Sequence, residues 1–255
     1  LGTAEPAAAK ADMVSRRLWT SAGLTTNIWS GHMSPDGRYI SFIDRVTGNL
    51  ALHDLTTGAD RRLTDTGTYQ FCCTGQHQID FAEESAISRD GKLIAYSWFT
   101  EAKGRYELRV LKLDAAGPSI PKTIFDNPDV QWIAPFDWSP DGKSLAVRVG
   151  RKDDTNQIGL IGTANGSLTV LKTIDWRDAG RLVFSPDGAL VAYDLAPSDT
   201  SNRHDIFVLS IDGTKDIHAV AHPASDFVVG WSPDGRALLF ASDRTGSMGL
   251  WSLPF

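Results

Sequence analysis

The side chains best suited to bind a ligand are six polar residues that come shortly before a recurring Ser-x-Asp-Gly phrase. They are Asn27, His32, Glu83, Glu84, Asp137 and Arg181. Counted back from the phrase, His32 and Asp137 occupy one position, and Glu84 and Arg181 share the position two residues earlier. Carboxylate oxygens on neighbouring strands could hold a cation, and convergent polar groups could hold a polar ligand. The alternative is a water-filled channel in which these groups are only solvated.

The sequence contains no motif that would carry out catalysis. Gly246-Ser247-Met248-Gly249 is one residue too short for the G-x-S-x-G motif of a serine hydrolase. The six histidines show no H-E-x-x-H or similar ligand spacing. We therefore assign no catalytic residue, no metal ligand and no cofactor to this chain.

Cys72, Cys73 and His77 form the densest group of reactive side chains. They would supply three metal ligands, or the adjacent cysteines could form a vicinal disulfide. The alternative is a connecting loop that contains two small, partly buried residues. Two cysteines cannot build a long-range disulfide framework, so they do not indicate the redox compartment.

Length and charge narrow the classes of function. A chain of 255 residues is long enough for one or two domains, and the repeat described below predicts one. The net charge of -6 argues against sequence-independent binding of nucleic acid. No apolar run approaches the roughly 18 residues of a membrane span, so we expect no membrane insertion.

Five copies of the turn phrase divide the chain into repeats of similar length. The copies are Ser34-Pro35-Asp36-Gly37, Ser88-Arg89-Asp90-Gly91, Ser139-Pro140-Asp141-Gly142, Ser185-Pro186-Asp187-Gly188 and Ser232-Pro233-Asp234-Gly235. Proline presets φ for a turn, aspartate can accept a hydrogen bond from its own backbone, and glycine adopts the left-handed conformation without strain. The phrase therefore predicts a tight turn in every repeat.

Apolar residues stand at fixed distances on either side of each phrase. A large apolar residue precedes it in every copy: Met33, Ile87, Trp138, Phe184 and Trp231. A β-favouring residue follows its glycine by three places: Ile40, Ile94, Leu145, Val191 and Leu238. This pattern predicts a hairpin, and a repeat of this length built from short strands is typical of a propeller blade. The alternative is five ordinary hairpins in a β-sandwich.

The repeat predicts an all-β propeller, spanning residues 13–255, of four-stranded antiparallel blades. The five blades lie near residues 27–65, 83–125, 133–174, 181–220 and 227–255. Residues 1–12 look like a linker or the remnant of a helix. Residues 13–19 form an orphan outer strand, and the fifth blade lacks its own fourth strand. The orphan strand would either close a five-bladed ring or belong to a propeller of six or more blades, of which this chain is an excerpt.

Three features resemble the repeats of the TolB-like, or WD40-like, bacterial β-propeller family. They are the Ser-Pro-Asp-Gly phrase with its apolar positions, the segment Ser242–Gly246, and the blade ending Arg61–Thr64. The resemblance covers about residue 13 to the C-terminus and implies a bacterial protein of the periplasm or envelope. TolB places a small α/β domain before a six-bladed propeller, and residues 1–12 are too short for that domain. Similar repeats form the propeller in front of the catalytic domain of prolyl-oligopeptidase-type peptidases.

The resemblance and the missing catalytic motifs together predict a non-catalytic scaffold. It would bind a protein partner or a small polar ligand at the channel mouth or on the rim of loops. The alternative is the propeller domain of a larger prolyl-oligopeptidase-type serine peptidase. A weaker alternative is a channel-centred metal-dependent hydrolase or lactonase, because calcium-dependent lactonases use acidic channel residues in this way.

Overall fold

The computed structural model describes residues 26–27, 31–68, 79–113, 119–198, 200–201 and 203–255. These residues form five antiparallel sheets, and none of them is helical. In every sheet, strands that follow each other in the chain are hydrogen-bonded neighbours. The prediction of an all-β propeller of antiparallel blades is confirmed.

Four sheets contain four strands each. The first has β1 (Thr26–Asn27), β2 (Tyr39–Asp44), β3 (Asn49–Asp54) and β4 (Asp60–Arg62). The second has β5 (Phe81–Ile87), β6 (Leu93–Thr100), β7 (Arg105–Lys112) and β8 (Lys122–Phe125). The third has β9 (Val130–Trp138), β10 (Ser144–Arg151), β11 (Asn156–Gly162) and β12 (Leu168–Ile174). The fourth has β13 (Leu182–Phe184), β14 (Leu190–Leu195), β15 (Asp205–Ser210) and β16 (Asp216–Val220).

The fifth sheet has three strands within the described part of the chain. They are β17 (Asp226–Trp231), β18 (Ala237–Ser242) and β19 (Gly249–Pro254). Observed strand boundaries differ from the predicted blade boundaries by at most three residues. The third sheet shows one of the largest differences, because β9 begins at Val130 and pairs with Arg151 beyond a register shift. Residues 1–12, the orphan strand at 13–19, and Cys72, Cys73 and His77 lie outside the described residues.

Each turn phrase folds into the same hydrogen-bonded turn between the first and second strands of its sheet. The serine hydroxyl donates to the aspartate Oδ1 at 2.5–2.7 Å. The same Oδ1 accepts from the amide two residues further on at 3.0–3.1 Å. The five glycines have φ between 69° and 74°, which is the left-handed region that only glycine enters freely. The turn residues are therefore fixed by local geometry.

A sixth copy of the phrase occurs in a different place, between β15 and β16. Ser210 donates to Asp212 at 2.5 Å, the Thr214 amide donates to the same carboxylate at 3.0 Å, and Gly213 has a φ of 73°. The contacts match those of the other five turns although the hairpin joins the two outer strands. The phrase consequently encodes a turn, and its place in the sheet is set by the strands around it.

Four hydrophobic clusters join the sheets in chain order, one for each pair of neighbours. Ala146 in β10 belongs to the cluster shared with the fourth sheet, whereas Leu145 and Val147 on either side belong to the cluster shared with the second. Successive side chains of a strand point to opposite faces of its sheet. Both faces of β10 are therefore buried, as expected for a sheet packed between two others.

Two tryptophans reinforce these contacts between sheets with hydrogen bonds. The Trp138 indole donates to the carbonyl of Ala86 in the second sheet at 2.9 Å, and Trp138 is 1% exposed. The Trp231 indole, at the same position of the fifth repeat, donates to the carbonyl of Val183 in the fourth sheet at 3.3 Å. Each bond joins the first strand of one sheet to the first strand of its predecessor. The innermost strands are thus held in register with each other.

Candidate ligand-binding cleft

Residues from all five repeats line one cleft of about 420 Å³ at the end of the sheets where the turn phrases begin. The polar and aromatic side chains include one from each repeat: His32, Arg89, Asp137, Arg181 and Trp231. Most of these residues lie at the end of a first strand or in the turn that follows it. Convergence of first strands on one opening is the arrangement at the centre of a propeller. The fold therefore brings together side chains from positions as far apart in the chain as His32 and Trp231.

Asp137 is the acidic side chain of the cleft, and its carboxylate is already occupied by protein donors. Its Oδ2 accepts from the backbone amide of Phe184 at 2.9 Å and from Arg89 Nη2 at 3.2 Å. Arg89 Nη2 also donates to the carbonyl of Phe184 at 3.1 Å. The side chain of Asp137 is only 13% exposed. Asp137 and Arg89 together therefore join the second, third and fourth sheets at the cleft.

His32 contributes an imidazole whose hydrogen bonds fix its orientation. Its backbone amide donates to Ser41 Oγ at 2.8 Å, and its Nδ1 accepts from the amide of Ile87 at 3.4 Å. An accepting Nδ1 leaves the proton of the neutral ring on Nε2. Burial lowers the pKa of His32; Asp137 opposes this change, and the positive charge of Arg181 lowers the pKa further. The ring is therefore neutral near pH 7 and offers one N–H donor.

Arg181 differs from the other charged residues of the cleft because its guanidinium has no partner among the described residues. It is exposed, and it forms no hydrogen bond or ion pair with any residue that the structure describes. Its charge is nevertheless close enough to His32 to shift the pKa of that ring. A guanidinium offers five N–H donors in a planar fork that matches carboxylate or phosphate geometry. The cleft thus presents a cation that is free to bind a ligand.

Glu83 lies in a second, smaller pocket and not in the cleft. This pocket, of about 120 Å³, lies between the first and second sheets and is lined by Arg45, Phe81 and Glu83, among others. Glu83 precedes the turn phrase by five residues, so it lies towards the far end of β5. Burial raises the pKa of Tyr106 well above its ordinary value, and a hydrogen bond with Glu83 adds to the rise. Glu83 is therefore engaged by a neighbouring side chain.

Glu84 does not line the cleft either, because it too lies away from the turn along β5. The pairing of β5 with β6 shifts register between Ala82 and Ser85, and the amide of Glu84 donates to Ser97 Oγ at 3.0 Å. A bulge of this kind changes the direction of the side chains it contains. Burial raises the pKa of Glu84, the charge of Glu83 raises it further, and Arg148 opposes both effects. Glu84 is thus a partly buried carboxylate in the electrostatic field of Arg148.

The six residues singled out in the sequence fall into three groups. His32, Asp137 and Arg181 line the cleft together. Glu83 and Glu84 lie farther from the turns, and the side chain of Asn27 is outside the described part of the structure. Sequence reasoning grouped Glu84 with Arg181 by position, but the register shift in β5 has no counterpart at β13, where the described pairing is regular.

Two further cleft residues, Arg89 and Trp231, were not among the predicted site residues. Arg89 stands where the other four main copies of the phrase have proline, which is a signal visible in the sequence. Trp231 was assigned to the apolar position before the phrase, and its indole nitrogen does bond to the neighbouring sheet. Its ring also borders the cleft. A residue can therefore pack between sheets with one edge and face the ligand site with another.

Two negative findings concern the described residues alone. Among them, no group of three or more histidine, cysteine, aspartate or glutamate side chains could hold a metal ion. No helix that is long and apolar enough to span a membrane occurs among them either.

Comparison with solved structures identifies the fold. The chain resembles a protein described as a TolB from Agrobacterium tumefaciens, with a TM-score of 0.66 and 23% identity over 89% of this chain and 73% of that one. It resembles TolB from Acinetobacter baumannii with a TM-score of 0.60 and 19% identity, over 88% of this chain and 51% of that one.

Two peptidases are also similar to the chain. A stretch of 81 residues is 37% identical to dipeptidyl-peptidase 5 of Aspergillus fumigatus, and it makes up 30% of this chain but only 11% of the peptidase. A prolyl endopeptidase structure matches with a TM-score of 0.61 and 14% identity, over 90% of this chain and 34% of that one. The chain thus corresponds to a fraction of each of these longer proteins.

No protein-family model matches the chain. The five antiparallel sheets, their common cleft and the similarity to the two TolB structures nevertheless agree with one another. This protein has the fold of the TolB-like β-propellers.

Proposed function

We propose that this propeller is a non-catalytic binding scaffold, and that it recognises a protein partner or a small polar ligand at the cleft. The observation that carries the proposal is the guanidinium of Arg181, which has no partner in the described part of the chain, in a cleft to which all five repeats contribute. A concave site with a few convergent polar groups on an apolar wall is the usual form of a binding site. His32, Asp137 and Arg181 are the proposed channel-lining residues of this site.

The surroundings of the cleft favour a preformed site. Asp137 and Arg89 are held by hydrogen bonds across three sheets, and Trp231 is held by Val183. Side chains whose orientations are fixed in advance lose little conformational entropy when a ligand binds. A rigid cleft suits recognition without any rearrangement of the blades.

Site-specific photo-crosslinking tests the binding proposal. A photoreactive amino acid replaces Pro233, which is exposed and lines the cleft, and in a matched variant it replaces Pro140, which is exposed at the same position of another turn and lies outside the cleft. In the cells that make this protein, we expect a saturable crosslinked species at position 233 that is missing at position 140. Equal crosslinking at both positions, or none at position 233, contradicts the proposal.

A second candidate function is the propeller of a larger serine peptidase. The 37% identity to dipeptidyl-peptidase 5 over 81 residues and the similarity to a prolyl endopeptidase favour it. Labelling the native gene product with a fluorophosphonate, which reacts with catalytic serines, separates the two candidates. A labelled protein that contains this chain would establish the peptidase and overturn the non-catalytic scaffold. The described residues provide no observation in favour of a metal-dependent hydrolase or lactonase.

The location and the excluded partners remain proposals that rest on the sequence and the resemblance. We place the protein in the periplasm or envelope of a bacterium, and we expect it to bind neither nucleic acid nor a membrane interior. Cell fractionation with an antibody against the chain tests the location. Recovery in the cytoplasmic fraction would overturn it.

A further inference from the structure

The cleft contains a cation, Arg181, that has no partner among the described residues, whereas one oxygen of its carboxylate, Asp137 Oδ2, already accepts two hydrogen bonds. Asp137 Oδ2 already accepts from Phe184 and Arg89. Arg181 has no described partner, and the neutral imidazole of His32 lines the same cleft. A ligand that fits must therefore supply hydrogen-bond acceptors. An anionic acceptor is favoured over a neutral one, because a charge-assisted bond is about twice as strong as a neutral one.

The wall beside these donors is apolar and aromatic. Phe136, Trp231 and the turn residues Pro186 and Pro233 line the cleft with the charged groups. The Trp231 ring is held by its hydrogen bond to Val183 and by an edge contact with Phe255, whose centroid is 5.0 Å away. An ordered aromatic surface next to a cation suits a ligand in which an apolar group lies beside the anionic one.

We infer that the cleft binds a peptide carboxylate, with Arg181 as the donor and Trp231 as the apolar surface for the adjoining side chain. This inference rests on the proposed binding function and names the chemical class of its ligand. A volume of about 420 Å³ accommodates a few residues of a peptide. The carboxylate belongs to an acidic side chain or to a chain end, and the two sources present the same chemistry to Arg181.

The charge of the whole protein separates a peptide from a nucleic acid as the source of the anion. The net charge is -6, so a long polyanion is repelled at a distance even where the cleft itself is positive. A single carboxylate on a short peptide experiences the local field of Arg89 and Arg181 with little of that repulsion. The aromatic wall also gives a peptide side chain a contact that a phosphate group cannot use.

Nuclear magnetic resonance titrations with three small probes test the inference. The probes are N-acetyl-phenylalanine, which has a free carboxylate, its uncharged amide, and N-acetyl-aspartyl-phenylalanine amide, which carries an acidic side chain. The indole resonance of Trp231 reports occupancy of the cleft, up to about 10 mM probe, which detects affinities of that order. We expect the free acid or the aspartyl probe to bind at least about tenfold more tightly than the neutral amide, as one charge-assisted bond predicts.

Two matched variants assign the preference to Arg181. Arg181→Gln removes the free guanidinium, and Arg236→Gln removes an exposed arginine that does not line the cleft. We expect Arg181→Gln to weaken carboxylate binding about tenfold and to leave binding of the amide unchanged. Arg236→Gln should leave both affinities unchanged, which controls for the loss of one positive charge.

The outcomes also separate this inference from the binding function on which it rests. The free acid binding more tightly than the aspartyl probe would identify a chain end as the source, and the reverse would identify an acidic side chain. Equal binding of all three probes, no shift of Trp231 with any probe, or an unchanged preference in Arg181→Gln overturns the carboxylate inference. The binding function itself fails only if crosslinking at position 233 also fails.

Discussion

The turn carboxylates and the cleft side chains lie at the same end of the sheets, yet their polar groups are used differently. Asp187, as an example of the turns, accepts from its own Ser185 and from the amide of Ala189. A few residues away, Arg181 has no partner among the described residues. Groups that recur in every repeat are satisfied within their own turn. Arg181, which has no equivalent in the other repeats, is left available for a ligand.

Asp137 and Arg89 lie between these two extremes. Both line the cleft, but both are bonded to the backbone of the neighbouring sheet at Phe184. By position they belong to the binding site, and by contact they belong to the framework that holds the sheets together. The comparison therefore makes separate predictions for residues that share one cleft.

Replacement of Trp138 by alanine should have the largest effect, and on stability alone. The indole is buried between the second and third sheets and bonds to Ala86, so its removal leaves a cavity and breaks a hydrogen bond between the sheets. Such a change costs about 3–5 kcal/mol of the free energy of unfolding. Urea denaturation measures the loss. Trp231→Ala is the matched control, since that ring is only partly buried and should cost less; equal losses would contradict the proposed role of burial.

Asp137→Ala should show that a residue of the cleft can act mainly on stability. The change leaves the Phe184 amide, which is almost fully buried, without its acceptor, at a cost of about 1–3 kcal/mol. Urea denaturation at pH 7 is the measurement. Asp129→Ala controls for the loss of a charge, because Asp129 is exposed and its side chain makes no hydrogen bond to any described residue. A stability within error of the parent would place Asp137 among the ligand-binding groups instead.

The sequence was sufficient to predict the repeats because turn chemistry is local. Serine, aspartate and glycine at fixed spacing satisfy one another within a few residues, whichever strands they join. The sixth copy at Ser210–Gly213 shows the limit of this logic, because its turn is the same but its hairpin joins the outer strands. Local chemistry identifies the turn, and the surrounding pairing decides where the turn lies.

The cleft could be predicted only in part, because pairing and packing between strands, and not local turn chemistry, bring its residues together. His32, Asp137 and Arg181 could be aligned by counting from the phrase, but Glu83 and Glu84 could not, because the bulge in β5 changes the count. A bulge is a matter of pairing between strands and leaves no simple mark on one of them. Arg89 is visible in the sequence, because an arginine stands where the other four main copies of the phrase have proline. The hydrogen bond from Arg89 to the carbonyl of Phe184 depends on the packing of three sheets, which no single repeat encodes.

The turn carboxylates should make the free energy of unfolding depend weakly on pH in the acidic range. The hydroxyl of Ser210 and the amide and hydroxyl of Thr214 lower the pKa of Asp212 to about 2. A pKa that is lower in the folded state than in the unfolded chain stabilises the fold above about pH 4, and that stability is lost as the pH falls towards 2. We expect Asp212→Asn to show a smaller difference in stability between pH 5 and pH 3 than the parent, by urea denaturation.

The control for this prediction is a carboxylate outside the turns. Asp65→Asn removes an exposed group that makes no hydrogen bond to any described residue, so it should keep the parent's dependence on pH. An Asp212→Asn variant with the same dependence as the parent would show that the turn carboxylate is not held more tightly in the folded state.

The smallest effect on stability should come from Arg181→Gln, although that change alters the electrostatics of the cleft. An exposed side chain without a partner contributes within about 0.5 kcal/mol to the free energy of unfolding, so the midpoint of unfolding should not move.

In the same variant, the pKa of His32 should rise, because the charge of Arg181 lowers it in the parent protein. Burial and the charges of Asp137 and Arg89 are unchanged in the variant, so the shift isolates the contribution of Arg181. A histidine titration followed by nuclear magnetic resonance measures it, with Arg236→Gln as the control for one lost charge. If the pKa of His32 were the same in both variants, the guanidinium of Arg181 would not face the cleft, and the contrast between satisfied turns and an unsatisfied cleft would lose its main example.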